Sequence, residues 1–153
     1  MKVAVQSEDF DLNLELSRMR AARNDIGAIV SFIGLVRDLN DGAAVTQLTL
    51  EHYPGMTEKA LLAIVKEASS RWDVLDATLI HRVGTLQAAE QIVLVAVCSA
   101  HREHAFLACE FMMDYLKTQA PFWKKELTEN GEHWLDDKAS DHDALGRWKT
   151  NDL

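Results

Sequence analysis

Two stretches with helical apolar spacing are set among runs of strand-forming residues, so neither an all-helical nor an all-strand architecture accommodates the chain. In residues 55–72, Ala60, Leu61, Ile64, Val65 and Ala68 recur at the interval of one helix face, while Glu58, Lys59, Lys66 and Glu67 are left for water. In residues 101–118, the same spacing puts Phe106, Cys109, Met113 and Leu116 on a buried face. Pro121 enforces a stop, because the residue before proline avoids helical angles. Residues 74–83 and 91–99 are apolar strand candidates, and 2–6 read as a short strand. Residues 11–22 read as a short helix with Leu12, Leu16 and Met19 on one side. The Asp41-Gly42 turn signal predicts a hairpin joining 27–37 to 44–52. Asn130-Gly131 predicts a closing hairpin of 122–128 and 132–136, followed by a polar C-terminal tail over about 137–153. Helices and strands mixed in this order, with hairpins at both ends, predict an α+β fold.

The 153 residues predict one domain over 1–153, large enough to bury roughly two-thirds of its unfolded surface without a disulfide or metal staple. No apolar run approaches the roughly 20 residues that span a bilayer. The start, MKVAVQSEDFDL, turns acidic too soon for a signal peptide, so the expected location is cytoplasmic. The net charge of −8 argues against broad attraction to nucleic acid or an anionic membrane. An anionic ligand therefore requires a local basic cluster. Cys98 and Cys109 make no CxxC and no zinc quartet, and read as buried reduced thiols. No metal site or cofactor is expected.

Basic residues supply the candidate chemistry. In CSAHRE (98–103) a strand runs into a helix, which places His101 and Arg102 near the helix start. Free N–H groups and the helix dipole favour an anion there, and a cation pair is locally unfavourable unless it meets one. The alternative is that both side chains solvate the turn. Lys117 falls in the last turn of the same helix, where the dipole alone accounts for a cation. In PFWKKE (121–126), strand alternation puts Lys124 on the face of Phe122 and Glu126, and Lys125 with Trp123. A lysine among aromatics is partly desolvated, and two lysines brought together suit an acyl acceptor, a proton shuttle or an anion clamp. Lysines also protect edge strands. Arg37, closing the strand 27–37, has the fork that holds phosphate or carboxylate, or is simply solvated. The four tryptophans suit core or interface anchors.

Several segments together resemble one family. They are GAIVSFIGLVRD (27–38), LTLEHYPGMTEKAL (48–61), IHRVG (80–84), SAHREHAF (99–106) and MDYLKTQAPFWKKE (113–126). In this order they resemble the large, catalytic subunits of molybdopterin synthase, the MoaE family, from about residue 25 to 148. The resemblance implies an α/β hammerhead with an additional antiparallel β subdomain. It implies a sulfurtransferase that converts cyclic pyranopterin monophosphate to molybdopterin in molybdenum cofactor biosynthesis. Sulfur would come from the thiocarboxylated C-terminal glycine of a small ubiquitin-like subunit, within a heterotetramer built on a homodimer of large subunits. Lys117 and Lys124 fall on the family's two catalytic lysines. His101, Arg102 and Arg37 fall on substrate-binding positions, and Lys125 and Glu126 on neighbouring pocket positions.

Two positions depart from the family pattern. Leu35 stands where many members carry lysine, and Lys138 stands near a position that is often arginine. Lysine keeps the charge there but loses the planar fork. Leu35 leans toward a rival reading, a module that docks the small subunit without turnover, whereas intact Lys117 and Lys124 lean against it. A pterin- or nucleotide-binding enzyme with no protein partner is a third reading.

Overall fold

The computed structural model describes residues 1–40, 42–136 and 138–149; Asp41 of the expected turn lies outside the described residues. Among them, the chain forms β1 (Lys2–Gln6), α1 (Leu12–Arg20), β2 (Ala28–Leu35), β3 (Leu39–Asn40) and β4 (Ala43–His52). There follow α2 (Met56–Arg71), β5 (Asp76–Arg82), β6 (Gly84–Gln87), β7 (Gln91–Ser99), α3 (Arg102–Gln119), β8 (Phe122–Thr128), β9 (Gly131–Leu135) and α4 (Ala139–Lys149).

β7 explains the first layer. Its near-continuous apolar run is the pattern of a strand buried on both faces. Val93, Val95 and Val97 point into a core built with α2 and α3. Leu94, Ala96 and Cys98 point the other way, to Phe10 and Met19 of the α1 side. The sheet order is β1-β5-β7-β2, with β1 parallel to β5 and the other pairs antiparallel. A second sheet runs β3-β4-β8-β9, with β6 also paired to β4. Val36, Leu48, Leu50 and Leu86 form its own core.

Three expectations are corrected. The segments 27–37 and 44–52 do not pair with each other: β2 pairs with β7, and β4 pairs with β3, β6 and β8. The register breaks between Gly34 and Leu35, and the Val36 N–H then donates to the Glu90 carbonyl, which carries the chain from one sheet to the other. Phe106, expected on the buried face of α3, is 61% exposed. β2 is the edge strand there, and among the described residues no further strand covers the ring. The polar tail carries α4, held by two apolar residues at i, i+3, Leu145 and Trp148. The Trp148 indole packs edge-on to Trp72 and Phe111, and its Nε1–H donates to Asp114 at 2.7 Å.

Other elements form as read. Cys109, Met113 and Leu116 are buried on α3, and Leu61, Ile64, Val65 and Ala68 form the inner face of α2, while Ala60, expected with them, is only half-buried. The β8–β9 hairpin turns at Gly131, whose φ of +102° suits glycine.

Candidate active site

The topology brings distant segments to one end of the first sheet. β5 ends there at Arg82, β7 begins there, and β2 finishes there at Leu35. α3 follows β7 and packs back across it, so its last turn returns to the same end. Pro121 then breaks the helix and sends β8 along β4. A buried threonine fastens this corner. The Thr57 hydroxyl donates to the Pro121 carbonyl at 3.0 Å and accepts from the Tyr53 N–H at 3.0 Å. Lys117 on α3 and Lys124 on β8 thus end up beside one cavity.

That cavity is about 260 Å³, walled by Leu35, His81, Val93, Phe122 and Leu135 and carrying Lys117, Lys124, Lys138, Asp136 and Asp141. A second lobe of about 140 Å³ shares Leu35, Lys117, Lys124 and Lys138 and adds Arg37, Asn40 and Glu126. The Asn40 amide donates to Glu126 at 2.8 Å, and an Arg37 guanidinium N–H reaches Asn40 Oδ1 at 3.4 Å. Four cations therefore face one two-lobed opening in a protein of net charge −8. Such a concentration of donors suits a phosphorylated or otherwise anionic ligand.

Of the residues singled out in the sequence, Lys117, Lys124, Lys138, Arg37 and Glu126 line this opening. Lys125 does not. Strand alternation turns it to the opposite face, where it pairs with Glu132 at 3.5 Å and lies 5.4 Å from the Trp134 ring centre. His101 and Arg102 do not reach it either. His101 caps α3 and Arg102 opens it, so Arg102 lies 15 residues before Lys117, about 22 Å along the axis. Leu35 is 50% exposed at the rim shared by the two lobes.

His81, Asn40, Asp136 and Asp141 also line the opening and are not among the residues to which the sequence points. His81 left a signal, a polar residue directly after the apolar pair Leu79-Ile80 in a strand buried almost throughout, within IHRVG. Its ring stacks on Phe122 with centroids 3.8 Å apart and planes 19° from parallel. Burial, opposed by its bond to the Arg82 carbonyl and reinforced by the charges of Lys124, Lys117 and His52, lowers its pKa to about 3. The other three sit in a two-residue strand, a loop and a helix start, segments too short or too polar to carry a pattern.

Both cysteines are buried thiols. Burial pushes Cys109 up to about 12, with Glu110 adding to it, and raises Cys98 as well. Neither is a ready thiolate nucleophile.

The family model described as MoaE protein matches residues 5–119, more than half of the chain. The molybdopterin synthase catalytic subunit of Ralstonia nicotianae is 60% identical over 146 residues, 95% of this chain and 83% of that one. The solved molybdopterin biosynthesis MoaE protein from Burkholderia ambifaria aligns with a TM-score of 0.84 at 51% identity, covering 98% of this chain and 99% of the other. A chain from the protein–protein complex of subunits 1 and 2 of molybdopterin-converting factor from Helicobacter pylori aligns with a TM-score of 0.70 over 90% of each chain. At 20% identity that last likeness is one of fold. With its α+β architecture and its extended match to both family model and relatives, the chain belongs to the MoaE family.

Proposed function

We propose that the chain is the catalytic subunit of a molybdopterin synthase, a sulfurtransferase of molybdenum cofactor biosynthesis acting on cyclic pyranopterin monophosphate. The observation that carries this reading is the convergence of Lys117 and Lys124 from two different elements on one cavity, with Arg37 and Lys138 beside them. Arg37 and Lys138 hold the phosphate, and Glu126 fixes Asn40 in the second lobe. The sulfur arrives on a small ubiquitin-like partner whose C-terminal glycine thiocarboxylate enters the cavity. The thiocarboxylate sulfur bonds to a side-chain carbon of the pterin as a carbon–oxygen bond at that same carbon breaks, the departing oxygen leaving with a proton or on the phosphate, so sulfur replaces oxygen with no change of oxidation state. Water then cleaves the acyl–sulfur bond and returns the partner's glycine as a carboxylate. Two such transfers, each from one loaded partner, complete the dithiolene. Lys117 and Lys124 stabilise the anionic intermediates and move the protons. The buried cysteines are spectators. The protein works in the cytoplasm, as one domain over its length.

His101 and Arg102 belong to this reading through a second copy. Within one chain they lie about 22 Å from Lys117 along α3. Between them and the cavity runs an exposed apolar surface, with Phe106 on α3 and Phe32 on the β2 edge 61% and 40% exposed. Phe32 lines both this surface and the lysine cavity. A two-fold dimer docked over it brings the His101–Arg102 pair of one protomer to the cavity of the other, inside the heterotetramer.

Reconstitution tests the reading. The protein is mixed with thiocarboxylated small subunit and cyclic pyranopterin monophosphate, and molybdopterin is assayed. Product is expected with wild type. Lys117→Ala and Lys124→Ala should each lower turnover at least about 100-fold, the scale of losing one preorganised charge stabiliser. A stable complex that makes no product would favour a docking module and point to Leu35. Mixed dimers of Arg102→Ala and Lys117→Ala should regain up to about a quarter to a half of wild-type turnover, and no recovery would remove the shared site.

A further inference from the structure

The cavity contains one buried group that the proposed sulfur transfer leaves unused. His81 is 3% exposed, and its ring is fixed from two directions. Phe122 stacks on its face, and its Nδ1 lies 2.8 Å from the Arg82 carbonyl. A carbonyl only accepts, so Nδ1 carries the hydrogen and Nε2 carries the lone pair. Among the described residues Nε2 has no hydrogen-bond partner, yet no sealed polar side-chain atom among them lacks one. Nε2 is therefore open to the cavity that His81 lines. The pocket's lysines only donate hydrogen bonds, and its carboxylates, Asp136 and Asp141, sit toward the β9–α4 edge. Among the described side chains that line the larger lobe, His81 is the one neutral acceptor. Burial, with the charges of Lys124, Lys117 and His52, holds its pKa well below the ordinary histidine value, so the ring is uncharged at neutral pH.

We propose that His81 is a specificity-determining residue, its Nε2 accepting a hydrogen bond from a ring N–H of the bound pterin and setting which edge of the heterocycle meets Lys117 and Lys124. This deepens the pterin reading and rests on it. The stacked Phe122 holds the imidazole plane, so the direction of the accepted bond is set before the ligand arrives. A ligand with an acceptor at that edge meets a lone pair instead and is rejected.

The test uses the full chain assembled with its small subunit. His81→Asn keeps an amide N–H for the Arg82 carbonyl and deletes the acceptor in the cavity. His81→Gln places an amide oxygen near the position of Nε2. Calorimetry gives the Kd of cyclic pyranopterin monophosphate and, as a probe of the cationic lobe alone, of inorganic phosphate. Steady-state assays give KM and kcat, and thermal midpoints monitor the fold. His81→Asn should weaken pterin binding and raise KM about tenfold. Its phosphate Kd should stay within about twofold, and His81→Gln should return the pterin Kd to within about threefold of wild type. Unchanged pterin binding in His81→Asn would overturn the assignment. So would a fall in kcat at constant KM, or equal losses in both variants that track their thermal midpoints. If His81→Asn does not fold, His81→Gln decides alone: a pterin Kd within about threefold of wild type supports the acceptor, and a loss of about tenfold or more overturns it. A wild-type complex that binds phosphate but not the pterin phosphate would instead end the pterin reading, and this assignment with it.

Discussion

Replacing Thr57 with valine should loosen the corner that holds the two lysines together. Thr57 is fully buried, and valine matches its shape, so packing is conserved while the hydroxyl is lost. Two hydrogen bonds go with it, one to the Pro121 carbonyl and one from the Tyr53 N–H, both at 3.0 Å. A typical net bond contributes about 1 kcal/mol, and an orphaned buried group costs about 1–3 kcal/mol. Both backbone partners are only part-buried, so water recovers some of the loss and the total is about 2 kcal/mol. For a chain of this size that lowers the thermal midpoint by about 4–8 °C. Thr57→Ser keeps the hydroxyl and loses one methyl, which costs about 1 kcal/mol or less. Urea titrations of the three proteins measure the difference directly. Because Pro121 separates Lys117 from Lys124, reconstituted turnover should fall further in the valine variant than in the serine variant, measured well below either midpoint. A valine variant within about 0.5 kcal/mol of wild type would refute the reasoning, since that is the range of surface substitutions that touch nothing.

Buried neutral His81 makes stability depend on pH. Its pKa is about 3 when folded and near 6.5 when unfolded, so between those values the unfolded chain binds a proton that the folded chain refuses. Stability is at its full value above pH 6.5 and falls as pH drops toward 3, by up to about 1.4 kcal/mol per unit. Urea midpoints between pH 7 and 4.5 should show this slope, and His81→Asn should flatten it; an equal slope in the variant would place the titrating group elsewhere. Trp148→Phe keeps an aromatic ring against Trp72 and Phe111 but removes the donor to Asp114, which retains Arg147 at 2.9 Å. The loss should be about 1–1.5 kcal/mol, a fall in midpoint of about 2–6 °C, and an unchanged midpoint would show that the indole N–H contributes nothing. Leu35→Lys adds a cation at the rim of both lobes and should tighten inorganic phosphate binding several-fold at low salt, an effect that 0.5 M salt screens out. No change at low salt would place residue 35 outside the anion's reach.

The elements that were legible in the sequence are those whose burial repeats with a fixed period. α2 and α3 each present an apolar stripe over four or five turns, and β7 is apolar from Ile92 to Cys98, so each reports its surroundings many times over. α4 reports them twice, at Leu145 and Trp148, and is lost in a polar tail. The partner of β2 was misread because a turn signal is local while strand pairing is not. The bulge at Gly34 and Leu35 and the bond from Val36 to Glu90 decide where the chain goes, and both depend on β7, some sixty residues later. Phe106 has the spacing of a core residue, but spacing cannot say that the sheet ends at β2. The same limit applies to the site. Alternation on β8 separates Lys124 from Lys125, but local chemistry leaves Lys117 to the helix dipole and Lys124 to edge protection, and only the family resemblance pairs the two. His81 is chosen by tertiary context alone, since only the stacked Phe122 and the Arg82 carbonyl give its ring a direction.

A helix of known rise also acts as a ruler, and α3 uses it to limit how the basic residues work together. His101 and Arg102 stand at its start and Lys117 in its last turn, about 22 Å apart, so no side-chain rotation joins them across one copy. An isologous dimer changes this geometry. If two copies of α3 lie antiparallel across a two-fold axis, the start of each helix is beside the end of the other. The surface between the pair and the cavity is apolar, with Phe32 and Phe106 exposed on it, and Phe32 already forms part of the cavity wall. In the dimer we propose, burying that surface and completing the anion site would be one event. Such a dimer would also relieve a local electrostatic difficulty. Two basic residues at a helix N-terminus oppose the dipole, and an anion delivered by the neighbouring cavity turns that opposition into attraction.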